Sequence, residues 1–222
     1  MTLSAIEAEV ALRRDDPKIV WAVGCHPRRA RAIAAFDREL FEELARRTPV
    51  IGEIGLDGTS RVPHDRQLPP VRAALAVARE LGRIVSIHPH RASRAVLDEL
   101  RRQPQPGAIL HWWTGNANET TEAVRLGCAF SVHRSVARRL VWQGVPRERL
   151  LVESDLGYAD APRDAPAAIE RTEELLADRL GIDARDVRDA GWQTLAALVA
   201  RTGTLRLLPV AFREALDATA RT

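Results

Sequence analysis

Glu53 sits inside VIGEIGLDG, residues 50–58, a run that otherwise reads as a buried strand. Ionisable residues also close four further apolar runs: His26 after AVGC, His88 after IVSI, His111 after GAIL, and Glu153 with Asp155 in LLVESD; Asp57 closes the Glu53 run itself. Imidazole and carboxylate groups are ligands of divalent cations, and a cation so held lowers the pKa of bound water and polarises a substrate oxygen, which is the chemistry of hydrolysis. Taken singly, each residue has a plainer reading. Glu53 could be paired with one of the many arginines, and a lone histidine at a strand end is more often structural than a ligand. Several at equivalent strand ends point instead to convergence on one mouth, each side chain fixed by a rigid strand. His90, two residues beyond His88, is expected to reach the same mouth, whereas His64 and His133 read as solvated surface.

The elements that must hold these residues follow from the alternation of the chain. Apolar runs at KIVWAVGC, PVIGEIGLD, RIVSIH, GAILHWW, GCAFSV and RLLVESD are separated by Arg/Glu/Ala-rich helical segments near 30–47, 65–82, 91–102, 117–126 and 134–143, with another at 165–180. Strand and helix in strict alternation predict repeated β-α units on a parallel sheet. One helix-like segment, 3–14, precedes the first run, and the tail from 184 to 219 reads as helix broken at Gly203 and Pro209. The expected fold class is therefore α/β, a TIM-type (β/α)8 barrel that is N-terminally incomplete, with about six parallel strands and outer helices. A single domain over residues 1–222 is expected, since α/β barrels reach this length as one unit.

Composition narrows the class further. The chain is 45% hydrophobic and 28% charged, ordinary for a globular protein, and no apolar run is long enough to span a bilayer. Its opening residues carry no basic flank, apolar stretch and small-residue cleavage site, so a cytoplasmic location is expected. Cys25 and Cys128 lie in apolar runs without metal-type spacing and read as buried thiols. A net charge of +3 is weak support for an acidic partner, because the basic residues are scattered and Lys18 is the single lysine among 33 Lys and Arg.

VGCHP, IGEIGLD, SIHPHRA, ILHWWTG and LLVESD, in this order and spacing, resemble the TatD family of metal-dependent nucleases, barrels of the amidohydrolase type. The resemblance covers residues 18–160. GEIGLDG, HWWTG and GCAFSV are most similar to the QatD branch of a bacterial anti-phage system. It implies that Glu53 bridges two metals, that His88 and His111 complete the site of one, and that Asp155 binds the other and handles the proton of the catalytic water. His26 is then expected beside the substrate phosphate, and His90 and Arg91 in the substrate-binding segment. The implied cofactor is a divalent metal ion (Mg, Mn or Zn), one or two per full-length chain. The implied partner is DNA, as single strands or ends, together with defence-system proteins; no membrane is expected.

The departures matter as much. A strand ending in His-x-His, which supplies two ligands of the second metal in the family, does not occur before residue 18, and the usual IHSR reads IHPH. Three explanations compete: a start site placed downstream, a truncated or decayed copy, or completion by a partner. The leading expectation is phosphodiester hydrolysis of DNA, poor in this chain because one ligand set is depleted; the alternative is a catalytically impaired homologue that binds nucleic acid or a partner. A third reading, amidohydrolase chemistry on a small amide or ester, fits GEIGLD and HWWTG less well. Trp112 and Trp113 offer either a base-stacking surface or one core ring and one ring capping the mouth.

Overall fold

Val, Ile and Leu in short runs favour strands, and parallel neighbours need a crossover between them, which the intervening amphipathic segments supply as helices. The computed structural model describes residues 19–137, 144–155 and 165–219. Its strands are β1 Ala22–Val23, β2 Val50–Gly55, β3 Ile84–His88, β4 Ala108–Leu110, β5 Ala129–His133 and β6 Leu150–Glu153. They form one sheet in the order β1-β2-β3-β4-β5-β6, and every pair is parallel. This is the expected α/β arrangement of a TIM-type barrel in six strands. Among the described residues β1 pairs with β2 alone and β6 with β5 alone.

The helices are α1 Ala30–Ala34, α2 Arg38–Ala45, α3 His64–Leu81, α4 Ser93–Arg102, α5 Ala117–Arg125, α6 Arg134–Ala137, α7 Ala165–Leu180, α8 Ala184–Thr202 and α9 Val210–Thr219. One expectation needs correction. The single helix at 30–47 is split, because Asp37 accepts a hydrogen bond from the Leu40 N–H at 2.9 Å and starts α2 afresh as its N-cap. The helix expected at 134–143 is described to Ala137, its remainder lying outside the described residues, as does the segment 3–14. No helix among the described residues is long and apolar enough to cross a membrane.

Side chains alternate across the sheet. Val85, Ile87, Leu110, Phe130 and Val132 face outward into a core shared with α2, α3, α4 and α7. The opposite face begins with Val50, Ile84, Ile109, Ala129 and Leu151, which pack on Leu198 and Val199 of α8 and Leu216 of α9. α8 runs beneath the N-terminal ends of the strands: a Cβ at Gly82 would lie 2.6 Å from the Thr202 carbonyl oxygen, and Arg201 Nη1 donates to the Gly127 carbonyl at 3.1 Å. The C-terminal helices thus form a floor. Gly203, with φ 71°, ends α8, and Pro209 precedes α9, as the sequence predicted.

Candidate metal centre

Above that floor the inward positions turn polar: Ser86 and His88 follow Ile84 on β3, and Ser131 and His133 follow Ala129 on β5. Glu53 reaches the same level through an irregularity. Ile51 pairs with Val85 but Ile54 with Ile87, so β2 carries an extra residue at Gly52–Glu53, and such a bulge re-aims the side chain within it. Gly24 makes room, since a Cβ there would lie 2.5 Å from the Glu53 backbone nitrogen.

Glu53 stands at the centre of the cluster. Its Oε1 lies 2.8 Å from His88 Nδ1 and 3.5 Å from His111 Nε2, and its Oε2 lies 3.7 Å from His26 Nε2. Burial acts to raise the carboxyl's pKa but is outweighed by the His88 hydrogen bond and the charges of His111, His88 and His26, which hold it at about 2. Burial also opposes charge on His111, yet the hydrogen bond to Glu153 and the charges of Glu153, Glu53 and Asp155 push its pKa up to about 9. Asp155, half-buried with φ 46°, places Oδ1 3.8 Å from His111 Nε2, and burial raises its pKa.

Both central histidines are gripped from behind. His88 Nε2 lies 3.1 Å from Asp57 Oδ2, and His111 Nδ1 lies 2.6 Å from Glu153 Oε2. Asp57 is itself fixed: its Oδ1 accepts from the Thr59 N–H and hydroxyl, both at 2.7 Å, while Gln67 of α3 brackets its backbone. Ser131 donates to Glu153 Oε2.

The donor set fits a divalent cation. Ligands about 2.1 Å from an ion and subtending 90–110° lie about 3.0–3.4 Å apart, close to the 2.8 and 3.5 Å separating Glu53 Oε1 from His88 and His111. One carboxylate with imidazoles suits Zn or Mn, and Mg less closely. Among the described residues His26, Glu53 and His88 bring one donor atom each within 4.8 Å of one another, whereas the His88 and His111 rings stand 6.3 Å apart between centroids. The two sets share Glu53 and His88 and differ in whether His26 or His111 completes them. His26 Nδ1 accepts the Arg28 backbone N–H at 3.1 Å, and burial pulls the ring's pKa down to about 4, so the neutral ring carries its proton on Nε2 and presents a donor, not a lone pair, to the pocket.

The remaining expected residues lie on the rim. His90 is exposed with its ring 6.0 Å from that of His88, and Arg91 is exposed with φ 47°. Arg28 Nε approaches Asp57 Oδ2 at 3.5 Å. Trp113 is fully buried against Phe130 and bonded to Thr120, whereas Trp112 is half-buried with its ring 4.0 Å from His133. His133 is therefore not solvated surface as expected: it ends β5, half-buried, at the mouth, because period-two alternation carries Ala129, Ser131 and His133 to one face. His64 is exposed, as expected. Sequence reasoning gave no role to Asp57 or Glu153; the signal available was that each is an acid at the end of an apolar run, Asp57 on the strand next to that of His88 and Glu153 on β6, two strands from His111.

Comparison with known proteins places this geometry. The model of the TatD related DNases matches residues 1–199. The 3'-5' ssDNA/RNA exonuclease TatD of Pantoea ananatis is 32% identical over 154 residues, covering 64% of this chain and 58% of that protein. The uncharacterized metal-dependent hydrolase TatD of Mycobacterium tuberculosis is 31% identical over 158 residues, covering 64% and 60%. The chain spans about three-fifths of the length of these curated relatives. Among solved structures, the TatD homologue YJJV of Escherichia coli K12 superposes with a TM-score of 0.73 at 22% identity, covering 89% of this chain and 83% of that one. An uncharacterized amidohydrolase of Saccharomyces cerevisiae gives 0.65 at 16%, covering 89% and 86%. With its motifs on neighbouring strand ends and the family model matched over most of its length, the chain belongs to the TatD related DNases.

Proposed function

We propose that the chain carries the catalytic mouth of a metal-dependent phosphodiesterase acting on single-stranded DNA or RNA ends. The observation that carries this reading is the convergence of His88 and His111 on Glu53 Oε1, at 2.8 and 3.5 Å, from neighbouring strand ends. Relatives named as 3'-5' ssDNA/RNA exonucleases support the substrate class. A divalent cation held by these three supplies Lewis acidity toward a phosphoryl oxygen and water. Glu53 stays ionised throughout the physiological range. His26 offers its Nε2–H to a phosphate oxygen, and exposed Arg28, His90 and Arg91 bind flanking phosphates. Asp155, its pKa raised by burial, takes the proton of the attacking water. The likeness of GEIGLDG, HWWTG and GCAFSV to the QatD branch supports a role in anti-phage defence, in the cytoplasm and with defence proteins as partners.

A second reading, a binding subunit of low activity, is favoured by one observation. Among the described residues a second cation would find Glu53 and Asp155, while His26, its Nδ1 accepting the Arg28 N–H, turns an N–H toward the pocket. The deciding assay is nucleotide release from a single-stranded oligonucleotide with Mg, Mn or Zn, by the parent and by Asp155→Ala. Metal-dependent release that Asp155→Ala abolishes is expected. Binding without release favours the second reading, and release that survives Asp155→Ala overturns the assignment.

A further inference from the structure

We infer that Asp57 and Glu153 are positioning residues, each holding the outer ring nitrogen of one histidine so that the inner nitrogen of His88 or His111 faces Glu53. The inference rests on reading Glu53, His88 and His111 as cation ligands. A neutral imidazole has one N–H and one lone pair, so a carboxylate that accepts the N–H at one nitrogen assigns the lone pair to the other. The two pairs are of opposite sense. Asp57 takes His88 at Nε2, leaving Nδ1 2.8 Å from Glu53 Oε1; Glu153 takes His111 at Nδ1, leaving Nε2 3.5 Å from the same oxygen.

Simpler roles account for these acids less well. Asp57 also faces Arg28, but that contact is longer, 3.5 Å, and its arginine is 44% exposed, whereas the Asp57 side chain is fully buried and is fixed from behind by Thr59. An exposed partner compensates a buried charge weakly. Glu153 keeps Oε1 buried with no hydrogen-bond partner among the described residues, a cost that a purely structural side chain would not carry. Both acids are held independently of the histidines, by Thr59 and Gln67 on one side and by Ser131 on the other, so they act as fixed anchors.

The test uses the parent chain, Zn2+, and the near-isosteric variants Asp57→Asn and Glu153→Gln. Calorimetric titration is expected to show zinc bound about 10- to 100-fold more weakly by each variant, with zinc-free melting temperatures close to the parent's and part of the affinity restored by Glu153→Asp. In 15N–1H correlation spectra of the zinc-loaded parent, His88 is expected to carry its proton on Nε2 and His111 on Nδ1. Parent-like zinc affinity in both variants, or the reverse tautomers in the parent, overturns the inference, and if a variant does not fold the parent's tautomers decide. Glu53→Gln separates the two levels. If the parent takes up no zinc, or Glu53→Gln binds it unchanged, the metal reading itself fails; loss in Glu53→Gln beside parent-like binding in the other two sinks the positioning role alone.

Discussion

Along β3 the inward positions run Ile84, Ser86, His88, and along β5 they run Ala129, Ser131, His133; the first of each lies on α8 and α9, and the last opens at the mouth. The lower end is apolar and sealed by Leu198, Val199 and Leu216. The upper end gathers Glu53, Asp57, Glu153 and Asp155 among histidines. Grouping acids in partly buried space costs stability unless each finds a partner, while apolar burial contributes roughly 25 cal/mol per Å2. The same strands therefore divide the work: folding free energy comes from the floor and the outer core, and the mouth spends none of its geometry on packing.

Replacing Glu53 by Gln is the strongest way to separate the ends. Nucleotide release should fall on the order of 10^3-fold, while the melting temperature moves by only a few degrees, because the change removes charge and no volume. A collapse of the fold in Glu53→Gln would show that the mouth is structural after all. Leu198→Ala probes the opposite end. Leu198 is fully buried under Ile84 and Ala129, so truncation should cost about 3 kcal/mol, seen as a drop of roughly 6–12 °C in melting temperature, with zinc affinity within twofold of the parent.

Gly24→Ala should break the separation. Its new Cβ meets the Glu53 backbone at 2.5 Å, so calorimetry should register a loss of about 1–3 kcal/mol in stability together with weaker zinc binding. The smallest effect concerns the two thiols. Burial raises Cys25, beside the mouth, to about 11 and Cys128, at the floor end of β5, to about 12. Below those values each stays a thiol, so native protein at pH 8 should resist alkylation, with Cys25 modified before Cys128 by peptide mass spectrometry. Faster reaction at Cys128 would mean that the floor opens more readily than the mouth.

Much of this was legible in the sequence, and the reasons differ by region. The six strands and the placement of Glu53, His88, His111 and Asp155 could be read because apolar runs and the residues that close them are local signals. The grip of Asp57 on His88 could not, since 31 positions separate the two and the contact exists only once β2 and β3 align. His133 was misplaced because a histidine before a helix looks like loop until the alternation of β5 is fixed. The pair Trp112–Trp113 was left between two readings; the chain turns just past β4, with Trp112 at φ 41°, which buries Trp113 beside Phe130 and leaves Trp112 against His133. Helical periodicity showed that 184–219 would form helices but carried no information on which face of the sheet they cover.

That floor also has a consequence for how the molecule is made. Val50, Ile84, Ile109 and Leu151 are complete by the time β6 leaves the ribosome, yet the helices that cover them begin at Ala184. Synthesis proceeds at about 5–20 residues per second, so residues 184–219 take some seconds, during which a half-built sheet shows an apolar surface to its surroundings. A chaperone that binds nascent chains has its natural window there, and a ribosome stalled between β6 and α8 would release a product prone to aggregate rather than a smaller enzyme.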